Sequence, residues 1–302
     1  MIKFNSPVYP IPPSFDEEEK LELMSTISYL NYIKTNGGKI VMTTAGTSQY
    51  NLLKIEEVRS LNLCVINNFD GEKILGLPPL SLKHIKEEIE LMNTLCASED
   101  PTKISLLILF PERYYDDEQI VEYFEEICRV SKFNILVHGN LLRKGMGGTY
   151  EYSKPLLEKL SNIEGFIGMK EEASNLMHST TNLPKDNFEV IVAGGSMKRF
   201  WGLCPHGATS YLTGVGSFFP KLEESFFSNY KNHNINECLS IINNIETPLF
   251  ETFMSSGWHL SMRTALKELG FINSDRKPFK QPTKETKEKI INTLNKIKKY
   301  EE

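Results

Sequence analysis

Short runs rich in Ile, Leu and Val recur along the chain, separated by longer segments of helical period, and this alternation constrains the fold more than any other feature. The runs lie at Lys39–Thr43, Lys73–Leu77, Ile104–Phe110, Asn134–Val137, Gly165–Met169, Phe188–Ala193 and Thr209–Val215, with a weaker one at Pro7–Ile11. Within them apolar residues follow one another instead of alternating with polar ones, as expected of strands buried on both faces of a parallel sheet. The intervening segments carry one apolar stripe each. In LSLKHIKEEIELMNTL, Leu82, Ile85, Ile89 and Met92 recur three or four apart, and in EQIVEYFEEICRV so do Ile120, Phe124 and Ile127. Strands in this number, with crossovers of this size, predict an α/β fold closed as a (β/α)8 TIM barrel. The competing open dinucleotide-binding sheet lacks its GxGxxG turn.

After Pro220 the strand pattern stops and only helical segments remain, so residues 1–220 are expected to form the barrel and 221–302 a C-terminal helical appendage. Within the latter, RKPFKQPTKET reads as an extended connection, because Pro278 and Pro282 lack an amide hydrogen and disfavour helix just before them. Of the 302 residues 40% are hydrophobic and 24% charged, enough apolar material for a large core. Asp and Glu outnumber Lys and Arg by 39 to 34, which leaves no overall positive field for nucleic acid. No stretch reaches the roughly 18 apolar residues of a membrane span, and the first twenty residues hold no apolar signal core, so a cytoplasmic protein is expected. The five cysteines are scattered and read as free, mostly buried thiols. His84, His178, His206, His233 and His259 share no ligand spacing, and no metal is expected.

The chemistry concentrates on GFIGMKEEASN, where Lys170 follows Phe166, Ile167 and Met169 at the end of an apolar strand. A lysine there can snorkel to solvent. Alternatively, burial favours the neutral amine, lowers its pKa from about 10.4 and lets it attack a carbonyl to form an imine.

GFIGMKEEASN resembles the G-[IV]-K-[ED]-[AS]-[ST]-[GN]-[ND] segment of the pyruvate-dependent class I aldolases, the superfamily of dihydrodipicolinate synthase, N-acetylneuraminate lyase and the 2-keto-3-deoxy sugar acid aldolases. The resemblance implies that Lys170 is the Schiff-base lysine, and that the covalent imine replaces any separate cofactor. A second segment, AGTSQYNLLKIEE, is similar to the family's carboxylate-binding turn G-[TSG]-T-G-E, which points to Gly46 and Thr47; amides of a turn at a helix start, joined by a hydroxyl, hold an anion well. Ser48 and Gln49 depart from that pattern, and Gly46 replaces a common hydroxyl. In FNILVHGNLLRKG the family places a tyrosine at the strand end and an arginine five residues later. The arginine is matched by Arg143, while His138 stands at the tyrosine. Imidazole exchanges protons near neutral pH more readily than a phenol of pKa about 10, so His138 is a candidate general acid/base. LILFPERYY resembles the strand before a second family tyrosine and brings Arg113 to that position. EVIVAGGSM points to Gly194 as a pocket-lining glycine, and GATSYLTGVGSFFP to Ser210 or Leu212 as the residue against the substrate methyl.

These likenesses imply a lyase that makes or breaks a carbon–carbon bond between pyruvate, or a related 2-oxo acid, and an aldehyde, and they imply a homo-oligomer, dimer or tetramer. Gly46, His138 and Arg113 together replace a threonine or serine hydroxyl and two tyrosines of the family's proton relay. That argues against 4-hydroxy-tetrahydrodipicolinate synthase of lysine biosynthesis, which stays as one alternative beside a sugar acid aldolase or dehydratase. A barrel that binds a 2-oxo acid without turnover is the alternative from another class.

Overall fold

The computed structural model describes residues 4–44, 50–110, 113–114, 116–139, 142–144, 149–150, 152–172 and 188–301. Eight strands form one sheet in chain order: β1 (Val8–Pro10), β2 (Ile40–Met42), β3 (Glu72–Leu77), β4 (Ile104–Ile108), β5 (Asn134–Gly139), β6 (Phe166–Glu171), β7 (Glu189–Val192) and β8 (Ser210–Tyr211). A parallel bridge between Val8 and Leu212 and a 2.8 Å hydrogen bond from Thr213 N–H to the Val8 carbonyl return the end of the sheet to its beginning. The fold is the expected (β/α)8 barrel. The strand expected to run to Val215 is shorter, ending at Tyr211, because Val215–Ser217 turn into a short 3-10 segment that leads to the helix opening at Pro220. A small sheet of Arg113–Tyr114, Leu142–Lys144 and Thr149–Tyr150 was not expected from apolar periodicity, since these segments are polar and only two or three residues long.

The chain divides into two compact units. The first comprises Met1–Asn5, Glu72–Gly194 and Arg199–Tyr211. Its strands are buried on both faces, with Leu106, Leu107, Ile108, Ile135, Leu136 and Val137 all 0% exposed, which is why their sequences run apolar without alternation. Helix α4 (Asp117–Val130) shows how its helices are set; α1 to α3 are Leu23–Thr35, Ile55–Asn68 and Leu82–Leu95. Asp116 caps α4 by accepting from the Gln119 amide at 2.8 Å, and Asp117 and Glu118 in the first turn suit the positive end of the helix dipole. Its buried stripe is Ile120, Tyr123, Phe124 and Ile127, each burial contributing roughly 1.5–3 kcal/mol. Phe124 continues into an edge-to-face pair with Phe166 at 5.3 Å between centroids, so the root of β6 is clamped by aromatic packing.

The second unit comprises Ser6–Gly71, Gly195–Lys198 and Leu212–Glu302. Its core contains the fully buried Arg263, which donates to Asp275 at 2.5 Å and to the carbonyls of Pro13 and Ser274 at 2.6 and 3.0 Å, so that the buried charge is paired and hydrogen-bonded. All five cysteines are free, and Cys64, Cys96 and Cys238 are buried as expected.

One irregularity decides the geometry of the site. Along β5 and β6, Phe166 pairs with Ile135 but Gly168 pairs with Leu136, so β6 holds one extra residue at a bulge. Continued without the bulge, the register would set Lys170 opposite Gly139; with it, Lys170 faces His138. Gly168 permits the approach to β7: a Cβ there would lie 2.1 Å from the Glu189 carbonyl oxygen. Gly168→Ala is expected to lower unfolding stability by about 1–3 kcal/mol, through overpacking against backbone that cannot yield. Equilibrium denaturation in urea checks this, and an unchanged midpoint would show that β7 gives way.

Candidate functional site

Parallel register lines four side chains in one row across neighbouring strands: His138 of β5, Lys170 of β6, Ile191 of β7 and Ser210 of β8. Residues paired in this way point to the same face, and alternation along β6 returns the chain to that face at Glu172, two residues after Lys170. Glu171 belongs to the opposite face. The row stands at the C-terminal ends of β5 and β6, where barrels of this kind gather their chemistry.

Lys170 is wholly buried, with its side chain 0% exposed. Its Nζ lies 2.7 Å from His138 Nε2 and 3.1 Å from Glu172 Oε1, while the other Glu172 oxygen, Oε2, lies 2.5 Å from the same Nε2. The three groups close a ring of contacts. A carboxylate oxygen and an imidazole nitrogen 2.5 Å apart require a hydrogen between them, and the amine 2.7 Å from the same nitrogen lies within reach of it.

Burial pushes the Lys170 amine below its ordinary range, and the Arg199 charge adds to this, against the opposing pull of Glu172 and Glu171. Burial likewise lowers His138, helped by the charge of Lys170 and resisted by Glu172. Burial raises Glu172, but the His138 hydrogen bond and the Lys170 charge outweigh it and hold the carboxyl well below the usual carboxylate range. Two nitrogens 2.7 Å apart over one carboxylate cannot both be cationic, so the pair shares a proton. His138 Nδ1 is buried and has no hydrogen-bond partner among the described residues.

The other expected site residues divide by position. Ser210 is 0% exposed and level with Lys170 in the row. Gly194 follows β7 at φ 90°, a backbone conformation that favours glycine, and a Cβ there would stand 3.2 Å from Arg199 Nη1. Leu212 lies just beyond β8 and is 4% exposed. The backbones of Arg113 and Arg143 are paired in register in the small sheet. Gly46 and Thr47 lie outside the described residues.

Two charged residues near the amine were not anticipated. Glu172 is the second acid of KEE, at a place where the motif has alanine or serine, and that misfit was the available signal. Arg199 lies on helix α6 (Met197–Leu203; α5 is Lys154–Leu160) and had none, because only the fold brings it near β6. A separate groove of about 590 Å³, lined by Asn244, Glu251, Thr252, Thr293 and the exposed Lys296, offers no buried amine beside a base. Among the described residues no cluster of His, Cys, Asp and Glu could hold a metal ion, and no helix is long and apolar enough to cross a membrane.

Comparison with known proteins gives no match among curated sequences. The model of the dihydrodipicolinate synthetase family matches residues 113–297, more than half of the chain. Among solved structures the chain is similar to dihydrodipicolinate synthase from Aquifex aeolicus, with a TM-score of 0.83, 16% identity and 98% of each chain covered. It is also similar to N-acetylneuraminate lyase from Fusobacterium nucleatum, with a TM-score of 0.83 and 17% identity over 98% of this chain and 99% of that one. For dihydrodipicolinate synthase from Thermotoga maritima the TM-score is 0.82 and the identity 18%, over 98% and 99%. At such identities these likenesses speak for the fold.

Proposed function

The chain belongs to the dihydrodipicolinate synthetase family, and from that premise we propose that it is a Schiff-base class I aldolase or lyase acting on pyruvate or a related 2-oxo acid and an aldehyde. The observation that carries this reading is the fully buried Lys170 amine, in contact through Nζ with an imidazole nitrogen and a carboxylate. A neutral amine is nucleophilic, and burial lowers the pH at which this one becomes neutral.

The steps follow from the contacts. Nζ attacks the ketone carbon as the carbonyl π bond breaks, and the oxygen takes the proton shared by the nitrogen pair. Nζ then returns a proton to His138, which passes it to the hydroxyl, and water leaves as the iminium forms. The iminium draws the electron pair of the adjacent bond, so that a carbon–carbon bond can be broken or, through the enamine, made. Thr47 and the neighbouring amides would hold the substrate carboxylate, and Arg143 a polar group of the aldehyde. A histidine where the relay of the synthases has a phenol favours an aldehyde other than theirs.

Sodium borohydride with pyruvate is expected to leave the reduced adduct on the peptide containing Lys170, detected by mass spectrometry. If that peptide stays unmodified with pyruvate and with a panel of longer 2-oxo acids, the proposal fails.

A further inference from the structure

The ring of contacts around Lys170 contains two buried groups and one that reaches water. The Lys170 side chain is 0% exposed and that of His138 3%, whereas that of Glu172 is 42% exposed while touching both. A buried nitrogen pair whose proton count must change needs a route for protons to solvent, since neither nitrogen meets solvent itself. We infer that Glu172 is a catalytic residue, the carboxylate through which the Lys170–His138 pair exchanges its proton with water.

The inference rests on the Schiff-base reading for its place in turnover, and on geometry for the proton route. Each oxygen has a distinct contact, Oε2 with Nε2 at 2.5 Å and Oε1 with Nζ at 3.1 Å, so one carboxylate addresses both bases at once. A proton from water adds to a carboxylate oxygen and crosses the 2.5 Å contact into the Nε2–Nζ pair, leaving the carboxylate ionised; the pair has then gained one proton and solvent has lost one. The reverse path discharges it. When the iminium forms at Nζ, the same carboxylate faces a cation that can no longer share a proton with His138 as a free amine does. Its charge then stabilises the intermediate. The charged groups that act on Glu172 among the described residues are His138 on β5, Lys170 on β6 and Arg199 on α6.

The test uses the full chain and separates this role from the reaction assigned to Lys170. In Glu172→Gln, NMR of the ring of His138 should show its titration moved to lower pH and solvent exchange of its Nε2 proton slowed at least tenfold. Single-turnover imine formation with pyruvate should slow by about 10- to 100-fold and show a larger solvent isotope effect. Glu172→Asp should keep most of the rate, and formate should restore part of it to Glu172→Ala, which a merely structural carboxylate would not allow. Unchanged exchange and titration in Glu172→Gln overturn the inference, even where wild type forms the adduct. A wild type that forms no adduct overturns the Schiff-base reading instead, and leaves the proton route to be judged by the NMR result alone.

Discussion

On the Schiff-base reading, Lys170→Met is expected to leave a folded barrel on which borohydride no longer fixes pyruvate, with turnover lower by about 10⁴-fold or more, since no other group can replace a covalent nucleophile. Lys170→Arg is expected to fail equally, because a guanidinium stays charged and cannot attack. The same Lys170→Met change should raise stability. Methionine fills a similar volume without an amine to desolvate, and replacing buried ionisable groups by apolar ones is commonly worth about 1–3 kcal/mol. His138 and Glu172 keep each other as partners.

The gain depends on pH in a direction fixed by linkage. The folded amine has a lowered pKa, so between that value and about 10.4 the unfolded chain binds a proton that the folded chain does not. Stability of wild type therefore rises with pH through this window, by up to about 1.4 kcal/mol per unit from this group, and the contribution levels off above it. Lys170→Met lacks that slope. Urea denaturation of both proteins between neutral and alkaline pH measures the difference, and parallel curves would mean that the buried amine is protonated. The His138 titration should move up in the variant, because the charge of Lys170 is among the causes that hold it down.

His138→Ala should lower kcat/KM by about 10²- to 10⁴-fold, the usual contribution of a positioned acid/base, while still allowing slow trapping of pyruvate on Lys170. Added imidazole should restore part of the rate by occupying the space left by the ring. In wild type the acid limb of kcat/KM assigned to the ring is expected below the 6.5 of a free imidazole, because burial and Lys170 both oppose its protonation. Stability should follow: as pH falls below about 6.5 the unfolded ring gains a proton that the buried one refuses, so wild type loses stability there and His138→Ala loses less. Full activity in His138→Ala would move the acid/base role to another group.

The barrel was legible because it is written in local periods. Unbroken apolar runs such as ISLLI mark strands covered on both faces, and the stripe of Ile120, Phe124 and Ile127 marks a helix lying on them. The end at Tyr211 is not legible in GATSYLTGV because Leu212 and Val215 continue the apolar run up to the turn at Val215–Ser217. Lys170 and His138 were legible as single residues at strand ends, one an unexpected charge and the other a departure from a phenol.

Sequence by itself determined the alternation of strand and helix, the positions of the strands and the presence of an amine at the end of one of them, because each depends on residues within a few places of one another. Only the tertiary structure decided that this amine meets an imidazole and a carboxylate. That meeting depends on the register between two strands, which the bulge before Gly168 shifts by one residue, and a one-residue shift exchanges the faces of every side chain beyond it. The doubled acid after Lys170 gained its role for the same reason: alternation along β6 returns Glu172 to the face that the bulge had already turned toward His138.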